Sequence, residues 1–284
     1  MAVFYGEAIM FVTRLISGII LVALALLTII TGNWVLYFTV LVLSLIGAFE
    51  IYRACHVREG GKQVFSLFSG KVSANKLELA GYAGIVLFYV ALRLNDPFYE
   101  LMAIVAAMMI LLCVYVFTYP DYHAEQVMAS FFALVYVGVM LSFIYQTRML
   151  PGGKYHVWLI FLCSWGCDTC AYCVGMLFGK HKMAPVLSPK KSVEGAVGGV
   201  IGAVLLGIIY AVVTKGPALQ YGTICGIGAL ISMVGDLAAS AIKRNMEIKD
   251  YGTLIPGHGG VMDRFDSVIF TAPVIFFLSS ILIG

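Results

Sequence analysis

The residues best suited to chemistry lie between Ser240 and Asp266, where an otherwise apolar chain becomes densely charged. Carboxylate oxygens are the ligands that Mg²⁺ prefers, and glycine N–H groups approach phosphates closely because glycine adopts backbone angles that other residues avoid. The segment combines both kinds of group with lysines and arginines, so it indicates a site that holds phosphates and a metal. Its candidate residues are Ser240, Lys243, Arg244, Lys249, Asp250, His258, Gly259, Gly260, Asp263, Arg264 and Asp266.

An aspartate lies inside the apolar run that precedes this segment. It begins a series spaced by 4, 3 and 4 residues, which falls on one face of a helix. An ionisable residue within a membrane span is costly and indicates a functional site, although a structural pair with a cation on a neighbouring helix is the alternative. The series is Asp236, Ser240, Lys243 and Glu247.

Asp263 and Asp266 lie three residues apart at the start of the last apolar run. If a helix begins at residues 262–266, the two carboxylates share a face and can reach one cation. Unpaired carboxylates about 5 Å apart would repel each other by about 3 kcal/mol at an effective dielectric of about 20, and a metal or a lysine would remove that cost. Helix capping is the alternative for the aspartates. His258 could be an acid/base group, a phosphate donor or a structural residue.

A second group of candidate residues lies upstream, between residues 168 and 195. It begins with polar and small residues at helical spacing inside an apolar run, which leave room for a substrate or for a close helix contact. These are Asp168, Tyr172, Gly175 and Gly179. The following loop offers hydroxyls and ammoniums, as a phosphate cradle would, from Ser188, Lys190, Lys191 and Ser192. Adjacent lysines are also typical of membrane topology alone, so that alternative stays open.

The composition places both groups in a membrane protein. Of the 284 residues, 61% are hydrophobic and 12% are charged, and the mean hydropathy is +0.97. Continuous apolar runs of about 20 residues indicate transmembrane helices and not a β-barrel. We predict an all-α polytopic bundle with short loops and one membrane domain over 1–284. Within it we expect N-terminal helices in 10–118, middle helices in 125–178, and the charged segment among C-terminal helices in 180–284. The predicted spans are 10–31, 33–52, 77–94, 98–118, 125–146, 155–178, 196–214, 218–242 and 267–283.

The distribution of basic residues predicts the orientation. Thirteen of the 18 lysines and arginines fall between residues 53 and 76, 180 and 191, or 243 and 264. These are the loops after the second, sixth and eighth spans, which share one side of the membrane if the spans alternate. Basic loops face the cytoplasm, so we expect a cytoplasmic site that meets a soluble polyphosphate and a lipid head group. The chemistry implied is phosphoryl or nucleotidyl transfer at the membrane surface.

The charged segment resembles the full signature of the phosphatidate cytidylyltransferases, also called CDP-diacylglycerol synthases. The matching pattern is Ser240-x-x-Lys243-Arg244-x4-Lys249-Asp250-x-Gly252-x-x-Ile255-Pro256-x-His258-Gly259-Gly260-Val261-x-Asp263-Arg264-Phe265-Asp266. The stretch from Asp168 to Gly195 is similar to the upstream block of the same family, with Cys170 and Ser192-Val193 as mild departures. Thr13 to Ser17 also resembles the start of the family's sequences.

The resemblance implies a Mg²⁺-dependent reaction of CTP with phosphatidate that gives CDP-diacylglycerol and pyrophosphate. We expect Asp236 and Asp263 to bind the metal, with Asp266 and Asp168 as supporting ligands; a second cation is possible in such a site. Catalytic roles are expected for Asp236, Asp263, Lys243 and His258. The substrate-binding residues are expected to be Ser188, Lys190, Lys191, Ser192, Ser240, Arg244, Lys249, Asp250, Gly259, Gly260 and Arg264.

Other functions remain open at this stage. A related enzyme could use CTP on another lipid, as a polyprenol kinase or an ether-lipid cytidylyltransferase. A transporter that carries ions or protons on Asp168 and Asp236 is a different class. The expected partners are CTP, phosphatidate and the bilayer, without nucleic acid. The glycines Gly198, Gly199 and Gly202 could serve a homodimer face or internal packing.

Overall fold

The computed structural model describes residues 2–67, 72–257 and 259–283, and within them nine helical rods lie at the positions of the nine predicted spans. The rods are α1 (Ala2–Thr31), α2 (Asn33–Ala54), α3 (Lys76–Leu92), α4 (Pro97–Phe117), α5 (Ala124–Met149), α6 (Gly153–Phe178), α7 (Val193–Thr214), α8 (Ala218–Asn245) and α9 (Met262–Leu282). Over the residues whose side chains are described, seven rods, α2 and α4 to α9, are long and apolar enough to cross a membrane. The predicted all-α, multi-pass membrane architecture is confirmed.

Local sequence signals set where several rods begin. Asn75 caps α3 by accepting the Glu78 N–H, and the Glu78 carboxylate accepts the Asn75 N–H in return. Asp96 caps α4, whose first residue is Pro97. Ser192 caps α7 through the Gly195 N–H at 3.1 Å. These caps satisfy N–H groups that have no partner inside the helix.

Two basic loops form small hairpins, which the sequence analysis did not predict. Strands β1 (Gln63–Leu67) and β2 (Val72–Asn75) pair antiparallel after α2, and β3 (Lys182–Ala184) and β4 (Ser188–Ser192) pair antiparallel after α6. Each hairpin carries too few residues for a clear alternating pattern, so hydropathy alone reads it as a loop. The second hairpin fixes the position of the Lys190-Lys191 pair.

Rods α5 and α6 each contain a short π-helical interruption, at Leu134–Val139 and Leu162–Gly166. Such interruptions add a residue to the helical turn and are frequent at functional sites. The one in α6 ends two residues before Asp168, so it sets the direction in which this aspartate faces. It is invisible to hydropathy, because the sequence on both sides is apolar.

Close packing of α6 against α7 depends on glycines of α7. A methyl group on Gly198, Gly199 or Gly202 would overlap α6, at Val174, at Cys167 and Ala171, and at Cys170 respectively. The glycine stripe is therefore used inside the protomer, which is the internal-packing alternative from the sequence analysis.

Two predicted helical faces are shorter than expected. Rod α8 ends at Asn245 and Glu247 has a positive φ of 55°, so Glu247 does not continue the face formed by Asp236, Ser240 and Lys243. Rod α6 ends at Phe178, and Gly179 is extended beyond it. By contrast, α9 begins at Met262, as the pairing of Asp263 with Asp266 required.

Candidate active site

The segment between α8 and α9, residues 246–261, is here named the signature loop, and Asp263 in the first turn of α9 anchors it. One carboxylate oxygen of Asp263 accepts N–H bonds from Tyr251 at 2.8 Å, Gly260 at 2.9 Å and Gly252 at 3.4 Å. Its other oxygen accepts the Lys243 ammonium at 3.0 Å, and only 3% of the side chain is exposed. Asp263 therefore joins the middle of the loop, at Tyr251 and Gly252, to its end at Gly260 and to Lys243 of α8, through charge-assisted bonds that are stronger than neutral ones.

A second carboxylate, which the sequence analysis missed, reaches the signature loop from α2. Glu50 accepts the Val261 N–H at 3.0 Å and the Met262 N–H at 2.8 Å, one on each oxygen. It is 2% exposed and caps the N-terminus of α9, where negative charge is favourable. A methyl group on Gly252 or Gly260 would overlap this carboxylate, so both glycines are needed for Glu50 to approach.

Two further contacts hold the signature loop in place. Arg53, one turn after Glu50, donates a hydrogen bond to the Tyr251 carbonyl. The Tyr251 hydroxyl donates to the Ala239 carbonyl at 3.0 Å, and burial raises the pKa of this phenol. The loop is thus fixed by α2, α8 and α9 together. Glu50 could have been found from sequence, because it is an acid inside an apolar span, which is the rule that singled out Asp236. Arg53 and Tyr251 gave no such signal.

Lys191, from β4, lies among the aspartates of three rods. Its ammonium forms an ion pair with Asp236 of α8. Burial lowers the pKa of Lys191, whereas the nearby carboxylates of Asp168 on α6 and Asp266 on α9 raise it. The hairpin therefore brings the upstream group of candidate residues into contact with the charged segment, as the sequence analysis required of a joint site.

Two cavities flank this cluster and share Asp168 as a wall. The first, about 430 Å³, is lined in its polar part by Asp168, Lys190, Lys191, Ser192 and Asp236. The second, about 230 Å³, has a polar lining from Asp168, Asp263, Arg264, Asp266 and Ser267. The larger volume is close to the lower end of the range for small-molecule sites. Both cavities offer charged groups of both signs to a ligand.

The loop residues near β4 are held by Glu194 in the first turn of α7. Its carboxylate accepts the N–H groups of Lys180 at 3.0 Å and His181 at 3.2 Å, and it contacts His181 Nδ1 at 2.6 Å. The Ser192 hydroxyl oxygen is already engaged as the cap of α7. Ser192 can still donate its proton into the cavity that it lines.

The structure brings together only part of the predicted set. Asp168, Lys191, Asp236, Lys243, Asp263 and Asp266 form one cluster, with Gly259 and Gly260 beside Asp263. The side chains of Arg244, Lys249 and Asp250 are exposed, and with Ser188 and Ser240 they are not among the residues that line the two cavities. His258 lies outside the described residues.

The donor set suits a hard cation, although it is not a complete cage. Within 2–67, 72–257 and 259–283 no three histidine, cysteine, aspartate or glutamate residues are placed to hold a metal together. Mg²⁺ is usually bound by one or two carboxylates and completed by substrate phosphates, so a full protein cage is not required. Asp236 and Asp263 each face a lysine ammonium, which shows that both positions accept positive charge.

Helical rods that converge on a cluster of aspartates and lysines define a multi-pass membrane protein with a charged cluster among its helices. A model of the cytidylyltransferase family matches residues 12–282. The chain belongs to this family and is therefore a nucleotidyltransferase.

Individual relatives agree with this assignment. Over 276 residues the chain is 29% identical to the phosphatidate cytidylyltransferase of Bacillus subtilis (strain 168), which covers 93% of this chain and 96% of the relative. It is also 29% identical over 303 residues to the phosphatidate cytidylyltransferase of a Synechocystis species, covering 95% and 97%. The phosphatidate cytidylyltransferase of Staphylococcus saprophyticus is 38% identical over 145 residues, about half of each chain (50% and 55%). The resemblance drawn from the signature is confirmed.

Proposed function

We propose that the protein is a phosphatidate cytidylyltransferase, which joins CTP and phosphatidate into CDP-diacylglycerol and releases pyrophosphate. The observation that carries the proposal is the cluster in which Lys191 and Lys243 lie among four aspartates between two cavities. A reaction between two anions needs cations that neutralise both. The Bacillus subtilis and Synechocystis relatives, which align over nearly their whole length, are named for this activity.

In the proposed reaction a phosphate oxygen of phosphatidate attacks the α-phosphorus of CTP. The new P–O bond forms as the bond to the bridging oxygen breaks, and the electron pair leaves with pyrophosphate. Because the nucleophile is already an oxyanion, the protein's main tasks are positioning and charge neutralisation. No strong general base is required.

The proposal assigns the cationic side chains to the phosphates. Lys190 and Lys191 would bind them from the hairpin, and Lys243, Arg244 and Arg264 from the other side. The Gly259-Gly260 turn and His258 would contact the nucleotide. Ser188, Ser192, Ser240, Lys249 and Asp250 complete the proposed substrate-binding set.

Mg²⁺ would be held by Asp236 and Asp263, with Asp168 and Asp266 in support. When bound, the ion would neutralise phosphate charge and orient the triphosphate. Asp263 would accept the Tyr251 and Gly260 N–H groups of the signature loop and also bind the cation. These hydrogen bonds would hold its carboxylate in the position that metal binding needs.

We place the site at the cytoplasmic face of a bacterial cell membrane. The support is the charge distribution, since thirteen of the 18 lysines and arginines lie in or beside the three loops that share one side of the membrane if the spans alternate. The relatives named above are bacterial proteins. Dimerisation is not part of the proposal, because α6 covers the glycine stripe that suggested it.

The test is turnover by purified protein with CTP labelled in the base, phosphatidate and Mg²⁺, scored for CDP-diacylglycerol and pyrophosphate. Asp263→Asn should abolish product formation. Asp96→Asn is the matched control, since Asp96 only caps α4 and asparagine caps equally well, so activity should persist. Release of CDP instead of pyrophosphate would make the enzyme a kinase and reject the proposal.

A further inference from the structure

A large apolar groove lies between α2, α3 and the signature loop, separate from the two charged cavities. Its volume is about 980 Å³. Apolar side chains form its walls, including Leu45 and Phe49 on α2 and Val86 and Val90 on α3. Its polar side chains are Glu50 and Arg53 on α2, Tyr82 on α3 and Thr253 in the signature loop. A groove with apolar walls and a polar end suits an amphiphilic ligand, which has an apolar chain and a polar head group.

The polar end of the groove adjoins the candidate active site. Gly252 lines the groove, and its N–H is 3.4 Å from the Asp263 carboxylate. Arg53 also lines the groove and contacts the neighbouring residue of the loop, Tyr251, through its carbonyl. A lipid whose polar end reaches Gly252 therefore lies next to a residue that contacts Asp263, which is proposed to bind the metal.

Arg53 is the group at this end that can bind an anion. Glu50 lies at the same place, but both of its oxygens accept N–H bonds from the start of α9. Arg53 is exposed, and its guanidinium has donors beyond the one that contacts the loop. A phosphate at the end of the groove would meet that guanidinium, to which it can bind in a bidentate way.

The length of the groove matches one leaflet of a bilayer. From Arg53 to Leu45 the walls follow α2 over about 12 Å, and the α3 wall has the same extent, at a rise of about 1.5 Å per residue. One leaflet of the hydrocarbon core is about 15 Å thick. The groove thus follows a transmembrane helix pair through most of one leaflet, from the polar end inward.

We propose that this groove binds an acyl chain of the phosphatidate substrate and presents its phosphate to the signature loop. The inference rests on the proposed function and adds the place where the lipid is held. The groove would orient the phosphate before CTP is attacked, so that chain binding contributes to KM for the lipid and not to KM for CTP.

A tryptophan placed in the groove tests this directly. Val86 lines the groove and is 42% exposed, whereas Val105 on the adjacent α4 is 45% exposed and does not line it. Val86→Trp should raise KM for a long-chain phosphatidate at least roughly tenfold relative to Val105→Trp, by steric exclusion of the chain. KM for CTP should be the same in both variants, because neither valine lines the two charged cavities. Equal KM values for the long-chain lipid in the two variants would overturn the proposal.

A second measurement does not depend on turnover. Phosphatidate with a diazirine near the end of one acyl chain is photolysed with the wild-type protein in detergent, and the labelled peptides are mapped. Labelling should fall on residues 45–53 and 82–90, should be competed by unlabelled phosphatidate but not by phosphatidylcholine, and should be lost in Val86→Trp. Even labelling of all rods, or equal competition by phosphatidylcholine, would mean that bulk lipid fills the groove. If wild-type protein makes no CDP-diacylglycerol, the proposed function fails while the labelling still decides whether the groove binds phosphatidate.

Discussion

Replacing Glu50 with glutamine tests whether a residue on α2 positions the candidate active site. Glutamine has nearly the same shape, but it carries one acceptor oxygen where two N–H groups, of Val261 and Met262, now find one each. One charge-assisted bond is lost and a buried N–H faces an amide N–H, which costs about 1.5–3 kcal/mol. If this free energy is lost from the arrangement that holds Asp263, kcat falls roughly 10- to 100-fold.

The assay must separate a positioning role from a loss of stability. Glu78→Gln is the matched control, because Glu78 is also buried, caps the start of α3 through the Asn75 N–H at 2.9 Å, and pairs with Arg58 at 3.1 Å. Both variants should lower the thermal unfolding midpoint in detergent. Only Glu50→Gln should lower kcat measured per folded enzyme. The reasoning is refuted if Glu50→Gln keeps the wild-type kcat, or if Glu78→Gln lowers kcat as much as Glu50→Gln does.

Three further outcomes follow from the site. Gly260→Ala should reduce turnover to background, because the new methyl group overlaps the Glu50 carboxylate. Gly226→Ala in α8 is the control and should retain most activity, because its new methyl group would lie 3.2 Å from the nearest atom. Turnover of radiolabelled CTP compares the two variants, and equal activities would contradict the packing argument. Lys191→Met should lower kcat roughly 100-fold, because it removes the half-buried ammonium that pairs with Asp236 and would stabilise charge on the reacting phosphates, a loss of about 3 kcal/mol. Lys190→Met, which removes an exposed cation, should show a smaller loss, mainly in KM for CTP; steady-state kinetics would expose the reverse order. Chelation of divalent cations should stop pyrophosphate release and added Mg²⁺ should restore it, while the helical circular dichroism signal stays unchanged; turnover in excess chelator would remove the metal from the proposal.

The fold was largely predictable because each rod carries its own signal. A run of about 20 apolar residues is a local property, so the sequence alone located the nine rods. The same holds for Asp263 and Asp266, whose spacing by three residues predicts a common face once a helix begins there. The π-helical interruption before Asp168 carried no such local signal, and the hairpins were too short to show one.

Contacts between distant segments were not predictable from one sequence. Glu50 and Met262 are separated by 212 residues, and no periodicity relates them. The contact of Lys191 with Asp236 likewise joins β4 to α8, and no spacing in the sequence relates these two residues. The sequence therefore identified most of the charged residues, whereas the tertiary structure was needed to pair them and to add Glu50.

The bond between Glu50 and the start of α9 has a consequence for biosynthesis. Rod α2 is made and inserted long before residues 261 and 262 leave the ribosome. Until then the Glu50 carboxylate has no donors from that segment, and an unpaired acid in a membrane span is costly. The growing chain is thus less stable until α9 is made, because Glu50 gains the Val261 and Met262 N–H donors only then. The same two bonds that satisfy Glu50 also set the start of α9, and with it the position of Asp263.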